Sequence, residues 1–230
     1  MNQKASGNLY IVATPIGNLE DVTMRSLEIL KSVDLVICED TRTARKLLNR
    51  YDISKKTASY YSPKEAYQAG KYAAMLENGT NIAMISECGT PCISDPGIVM
   101  IREACKRGIN VIPVPGPSAL TAALSICGIK AKEVFFAGFI PRKKGARKKY
   151  LEKHAGREYA FVFYESKYRI KDTMRFIAEI NPELDVCIAR EMTKKFEEII
   201  RGSAVEVEDR ISSNSELKGE FVVICSACRK

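Results

Sequence analysis

The sequence predicts two α/β domains, the first on a mainly parallel sheet and the second on a mixed one. Three observations carry this. At 230 residues the chain has room for one large or two small domains, taking about 150 residues per domain. Its first half alternates short β-branched apolar runs with helical patterns, as in a parallel sheet covered on both faces. The basic segment Pro141–Lys149, six Lys or Arg in nine residues, interrupts this rhythm, which resumes beyond it. We place the domains at 1–115 and 116–230, the second including the basic segment 141–149.

The elements follow in order. Leu9–Ala13 is the first strand. Thr23 then caps a helix over Thr23–Lys31, with Met24, Leu27 and Leu30 on one face. Strand Asp34–Cys38 leads to helix Thr41–Tyr51. Helix Pro63–Glu77, strand Asn81–Ser86, helix Pro96–Arg107 and strand Asn110–Val114 complete the first domain. After Phe135–Phe139 the pattern breaks, and Pro141–Lys149, without apolar periodicity, reads as a linker. Strand Tyr159–Tyr164, helix Arg169–Ile180, strands Asp185–Ala189 and Phe196–Arg201, helix Ala204–Ile211 and strand Glu220–Cys225 follow. Two of these strands lack a long helix between them, which calls for antiparallel pairing.

The composition, 46% hydrophobic and 28% charged, excludes a disordered or collagen-like chain. A formal charge of +8 points to a polyanionic partner. The opening residues do not resemble a signal peptide, and no apolar stretch approaches the roughly 20 residues that cross a bilayer. With Cys38, Cys187 and Cys225 inside apolar runs, the eight cysteines read as reduced thiols of a cytoplasmic protein. Cys225 and Cys228 form a lone CxxC, so a zinc site is disfavoured. The single histidine, His154, lies in a basic stretch and reads as exposed or facing nucleic acid.

Neither GxGxxG nor GxxxxGK[ST] occurs, which disfavours ordinary dinucleotide and phosphate-loop folds. Two Gly/Pro-rich loops instead follow candidate strands, Glu87–Gly97 and Pro115–Leu120. Ligands of open α/β sheets bind at such carboxyl ends. Ser118 and Ala119 would open a helix and offer free backbone N–H groups. A third strand end carries Glu39-Asp40-Thr41-Arg42. Here Asp40 or Thr41 caps a helix, or Glu39, Asp40 and Arg42 supply an acceptor and a phosphate clamp.

Four stretches together, Leu9–Asp21, Glu39–Arg42, Gly89–Gly97 and Pro115–Ala119, resemble the tetrapyrrole methylase superfamily, and within it the small-subunit ribosomal RNA methyltransferases. The resemblance runs from about residue 8 to 225 and includes Tyr164–Ser166, Arg190–Lys194 and Gly219–Phe221. It implies a homodimer of two-domain subunits with S-adenosylmethionine in the cleft between the domains. It further implies methylation of the ribose 2′-hydroxyl of a cytidine in the decoding region of 16S rRNA. Carried over by motif, the cofactor contacts fall on Pro15, Ile16, Gly89, Thr90, Ile93, Ser118 and Ala119. The wider superfamily has Gly-Asp-Pro where this chain has Gly89-Thr90-Pro91, so its carboxylate contact passes to backbone groups or to Ser94 and Asp95. Many relatives also continue past the last strand, whereas this chain stops at Lys230.

Methyl transfer from a sulfonium needs alignment and, for a ribose hydroxyl, a base, but no metal. The candidate bases are Asp40, Glu39, Asp95, Glu165 and Glu191. In the leading assignment Asp40 or Glu39 orients or deprotonates the hydroxyl while Arg42 holds a neighbouring phosphate. The rRNA contact is expected on Arg142, Lys143, Lys144, Arg147, Lys148 and Lys149. The rivals are a tetrapyrrole methylase and a non-catalytic RNA-binding module; the Thr14–Asn18 loop and the charge weigh against the first, the two-loop pocket against the second.

Overall fold

A computed structural model describes residues 5–61, 65–130, 132–214 and 217–227. The chain divides into two compact units, Met1–Ser118 and Ala119–Lys230.

The first unit carries five parallel strands, β1 (Leu9–Val12), β2 (Leu35–Cys38), β3 (Lys56–Ser59), β4 (Ile82–Ile85) and β5 (Val111–Val114), in the order β3-β2-β4-β1-β5. Helices α1 (Met24–Ser32), α2 (Thr41–Arg50), α3 (Glu65–Glu77) and α4 (Ile98–Lys106) cover it. Because strand side chains alternate, the same strands feed two cores. Leu9, Ile37, Ile82 and Met84 meet Leu76 of α3 and Met100 of α4. Val12, Val36, Ala83 and Ile85 meet Leu30 of α1 and Leu47 and Leu48 of α2. Each large aliphatic side chain so buried contributes about 1.5–3 kcal/mol. Thr23 caps α1 as its sequence position foretold, accepting from the Ser26 amide at 3.1 Å. The edge strand β3 escaped the sequence reading because Lys-Thr-Ala-Ser carries no buried apolar run.

In the second unit, α5 (Ala119–Ile126) precedes β6 (Val134–Phe139), α6 (Lys144–His154), β7 (Ala160–Ser166), α7 (Ile170–Ile180), β8 (Asp185–Arg190), β9 (Glu198–Ser203), α8 (Ala204–Ser213) and β10 (Glu220–Ser226). The sheet order is β6-β7-β10-β8-β9, parallel only between β6 and β7. Phe161, Phe163, Ile188 and Phe221 pack against Met174 and Ile177 of α7 and Val207 and Ile211 of α8. The mixed sheet is the one the sequence predicted.

One strand is added to this half and one reading corrected. Phe135–Phe139, given no element in the sequence reading, is most of β6, whose bulge at Phe136–Phe139 interrupts the alternation. The basic linker is the entry and first turns of α6, inside the second unit. Its apolar face runs through Arg147, Leu151 and Ala155, all buried. Two of those three lie beyond residue 149, so the basic segment alone shows no periodicity.

His154 is corrected as well. It is half-buried, stacked on Phe135 with ring centroids 4.7 Å apart, and its Nδ1 lies 2.8 Å from the Tyr159 hydroxyl. Burial, then Lys153 and Arg157, lowers its pKa, and its ring packs among the aromatic side chains of Phe135, Tyr150 and Phe161. Cys228 and the start of the expected helix at Pro63 lie outside the described residues. Among the described residues no helix is long and apolar enough to cross a membrane.

Candidate active site

The first unit's strand order sets the chain exits of β2, β4, β1 and β5 side by side at one sheet edge. Three loops there are tied together by hydrogen bonds. The amides of Thr14 and Gly89 each donate to the other's carbonyl at 2.9 Å. Thr90 Oγ1 donates to the Pro117 carbonyl at 3.1 Å, and Ser86 Oγ to that of Gly89 at 3.1 Å. Gly89 has φ +78°, and a Cβ there would stand 3.3 Å from Ile16 Cγ2. This left-handed backbone and close approach explain why glycine occupies the position.

The edge thus brings together Pro15, Ile16, Gly89, Thr90 and Ser118. Ile93, 53% exposed, and Ser94 stand out from the β4–α4 loop, and Ala119 opens α5 in the second unit. Beside them lies a recess of about 160 Å³, walled by Pro15, Leu19, Leu47 and Ile85 with Lys46 and Glu87 among its polar groups.

The edge is also acidic. Burial, followed by Glu39 and Glu87, pushes Asp95 up to about 6. Burial and then Glu87 raise Glu39. Asp40 goes the other way, to about 2, through its side-chain and backbone hydrogen bonds with Arg42. Its Oδ1 accepts from the Arg42 amide at 2.8 Å and caps α2, while Arg42 Nε and Nη2 grip both carboxylate oxygens at 2.7–3.1 Å. The Arg42 pairing weighs against Asp40, and leaves Glu39, as the proton acceptor of the leading assignment. A carboxylate held this far below neutrality is a poor proton acceptor, and Arg42 spends its guanidinium on that carboxylate. Glu87, two residues past the buried β4, had received no role; a charge close behind an all-apolar strand was the available signal.

The two remaining candidate bases lie in the second unit with structural partners. Glu165, buried, accepts from Thr173 Oγ1 at 2.8 Å and pairs with Arg169 Nη2 at 2.6 Å. Glu191 is pushed up by burial but lowered overall by the Glu220 amide and Lys194.

Of the six basic residues expected to face RNA, Arg142, Lys143, Lys144 and Lys149 are exposed, and half-exposed Lys148 pairs with Glu179 at 2.7 Å. Arg147 is corrected: it is only 3% exposed. Its Nη1 donates to the Arg142 carbonyl at 3.0 Å, Nη2 lies 3.8 Å from Asp172, and the guanidinium sits over the Phe176 ring. Its stem takes an apolar position on the buried face of α6, which a count of charges could not distinguish from the solvated positions.

Residues 8–208 match the family Tetrapyrrole (Corrin/Porphyrin) Methylases, and the chain belongs to it. It is 44% identical over 219 residues to Ribosomal RNA small subunit methyltransferase I of Hydrogenobaculum sp. (strain Y04AAS1), covering 95% of each chain. Against the protein of that name from Thermotoga maritima the identity is 41% over 220 residues, covering 96% of this chain and 98% of the other. Against the Bacillus subtilis one it is 40% over 218 residues, covering 95% and 74%. Among solved structures, the methyltransferase CobJ superposes with TM-score 0.71 at 16% identity, covering 98% of this chain and 97% of that one. A uroporphyrin-III C-methyl transferase from Thermus thermophilus, complexed with S-adenyl homocysteine, gives 0.66 at 15%, covering 96% and 97%. At such identities the likeness shows the fold alone.

Proposed function

We propose that this protein uses S-adenosylmethionine to methylate small-subunit ribosomal RNA, at the ribose 2′-hydroxyl of a cytidine in the decoding region, and that it works as a cytoplasmic homodimer. The observation that carries the reading is the 44% identity to a named rRNA methyltransferase across 95% of both chains.

The donor is assigned to Pro15, Ile16, Gly89, Thr90, Ile93, Ser94, Asp95, Ser118 and Ala119. The first unit's edge suits it: Gly89 presents backbone with no Cβ, and three carboxylates, Glu39, Glu87 and Asp95, favour a cationic centre nearby. When bound, the donor supplies an electrophilic methyl on a sulfonium. The chain's own residues supply alignment, worth at most ~7–11 kcal/mol, and a base, worth about 10²–10⁴ in rate. Asp95, at about 6, is matched to accept a hydroxyl proton near neutral pH, with Glu39 and Glu87 keeping it there. Asp40 and Arg42 fix the start of α2.

The test is to incubate the protein with labelled S-adenosylmethionine and unmodified small ribosomal subunits, then map the labelled nucleotide. One 2′-O-methylated cytidine is the expected product. Label entering a tetrapyrrole and no rRNA overturns the reading.

A further inference from the structure

Three stretches that carry the resemblance lie in the second unit: Tyr164–Ser166, Arg190–Lys194 and Gly219–Phe221. The register of the second sheet brings them together. Phe139 pairs with Tyr164, Ser166 with Glu220, Phe221 with Arg190, and Arg190 with Glu198. The ends of β6, β7 and β8 and the starts of β9 and β10 therefore form one row, roughly 19 Å across five strands at ~4.8 Å spacing. The turns 140–143, 167–169, 191–197 and 217–219 all leave from that single edge.

Three aromatic rings project there into solvent: Phe139 is 62% exposed, Tyr168 85% and Phe196 67%. Two of them have a lysine on the ring, Lys167 Nζ at 4.9 Å from the Tyr168 centroid and Lys195 Nζ at 5.6 Å from that of Phe196. Most of the edge's carboxylates are paired with cations: Glu198 with Arg190 at 3.0 Å, and Glu191 and Glu220 with Lys194 at 3.0 and 2.8 Å, while exposed Glu197 accepts from the Thr193 amide. Lys167, Lys195, Arg142, Lys143 and Lys218 remain as its exposed cations.

The loop presenting Phe196 is built rather than slack. Glu191 and Thr193 have φ of 47° and 63°, a left-handed backbone that L side chains seldom adopt. Gly219, at φ +108°, has no room for a Cβ, which would lie 2.4 Å from Glu191 Cγ. Glu191 N donates to the Glu220 carbonyl at 3.0 Å, and Glu220 N to Glu191 Oε1 at 2.9 Å. Such outliers persist only where the surroundings impose them, and they gather at functional loops.

We infer that this edge of the second unit is a platform for single-stranded RNA, on which unpaired bases stack against Tyr168 and Phe196 while Lys167 and Lys195 hold the flanking phosphates. The inference rests on the reading that the substrate is RNA. Alternating rings and cations are what a splayed strand offers partners for; a duplex keeps its bases stacked and shows only its backbone.

The test uses the full chain and a fluorescein-labelled single-stranded RNA of about 12 nucleotides, within the span such platforms cover, with a duplex of equal length as comparison. Tyr168→Ala with Phe196→Ala should weaken single-strand binding about a hundredfold or more and leave the salt slope unchanged. Tyr168→Phe with Phe196→Tyr should keep the affinity. Lys167→Gln with Lys195→Gln should flatten the salt slope by about 0.7 per lost phosphate contact. Wild-type single-strand affinity in the double alanine variant, or an equal loss on the duplex, overturns the inference. Methylation of small subunits is scored separately. Wild-type protein that methylates no rRNA yet shows ring-dependent binding would fail the functional reading and keep the platform. Methylation by the double alanine variant at unchanged KM would do the reverse.

Discussion

Replacing Asp95 by Asn should make the protein more stable and less active, with the gain in stability present only above a defined pH. An aspartate's ordinary value of 3.8 is raised here to about 6. Folded protein therefore binds this proton more tightly than unfolded protein. The contribution is fully present below about pH 3.8 and is lost as pH rises through about 6. At ~1.36 kcal/mol per pH unit the displacement corresponds to roughly 3 kcal/mol. Asp95 is only half-buried, so solvent screening reduces this to about 1 kcal/mol. Unfolding free energies from urea titration of wild type and Asp95→Asn should thus differ by about 1 kcal/mol in the variant's favour at pH 7.5, and by much less at pH 4.5. Methyl transfer by the variant should fall by about 10²–10⁴. In the wild type, the rate below pH 6 should drop about tenfold per unit as Asp95 takes up its proton. Removing a neighbouring charge with Glu87→Gln should move that midpoint down, yet keep it above 3.8, because burial is the larger cause. A variant that is destabilised equally at both pH values, or that retains full activity, would refute the assignment.

Three further outcomes are expected. Gly89→Ala forces a side chain into φ +78° beside Ile16 and should cost about 1–2 kcal/mol in stability, with weaker S-adenosylmethionine binding by calorimetry. Arg147→Met, which removes a buried guanidinium whose Nε lacks a hydrogen-bond partner, should leave the urea midpoint unchanged or raise it by ~1 kcal/mol, and should not alter the salt slope of RNA binding. Brief alkylation of native protein at pH 8, read by peptide mass spectrometry, should mark the exposed Cys88 and Cys105. It should spare Cys38, Cys187 and Cys225, whose thiols burial pushes up to about 11, 11 and 12.

What the sequence made legible follows from periodicity. Strands β1, β2 and β4 are short runs of large apolar residues, and burial on both faces leaves no other pattern open to them. The two Gly/Pro-rich loops were legible for a related reason, since Gly89 and Gly116 sit where another backbone or side chain comes close. Strand β3 and helix α6 were not legible. The first is a polar edge strand, and the second places an arginine on its buried face. In both, the residue types deny the pattern that the structure nonetheless satisfies.

The carboxylates show the same limit at the level of chemistry. Glu39, Asp40, Glu87 and Asp95 all follow strands at one sheet edge, and composition gives no reason to prefer any of them. Their neighbours separate them. Asp40 is two residues from an arginine that folds back on it, and is driven far below neutrality. Asp95 is half-buried, lies near two other carboxylates, and is driven up towards neutral pH. Like charges gathered at one edge destabilise the free protein, and the repulsion is relieved when a proton or a cationic ligand enters among them. A sulfonium donor would bring such a charge, and a ribose hydroxyl would deliver such a proton. If Asp95 is the base, the strain that its charge meets in the resting fold is the property that prepares it for the reaction, and its removal should stabilise the protein and silence it together.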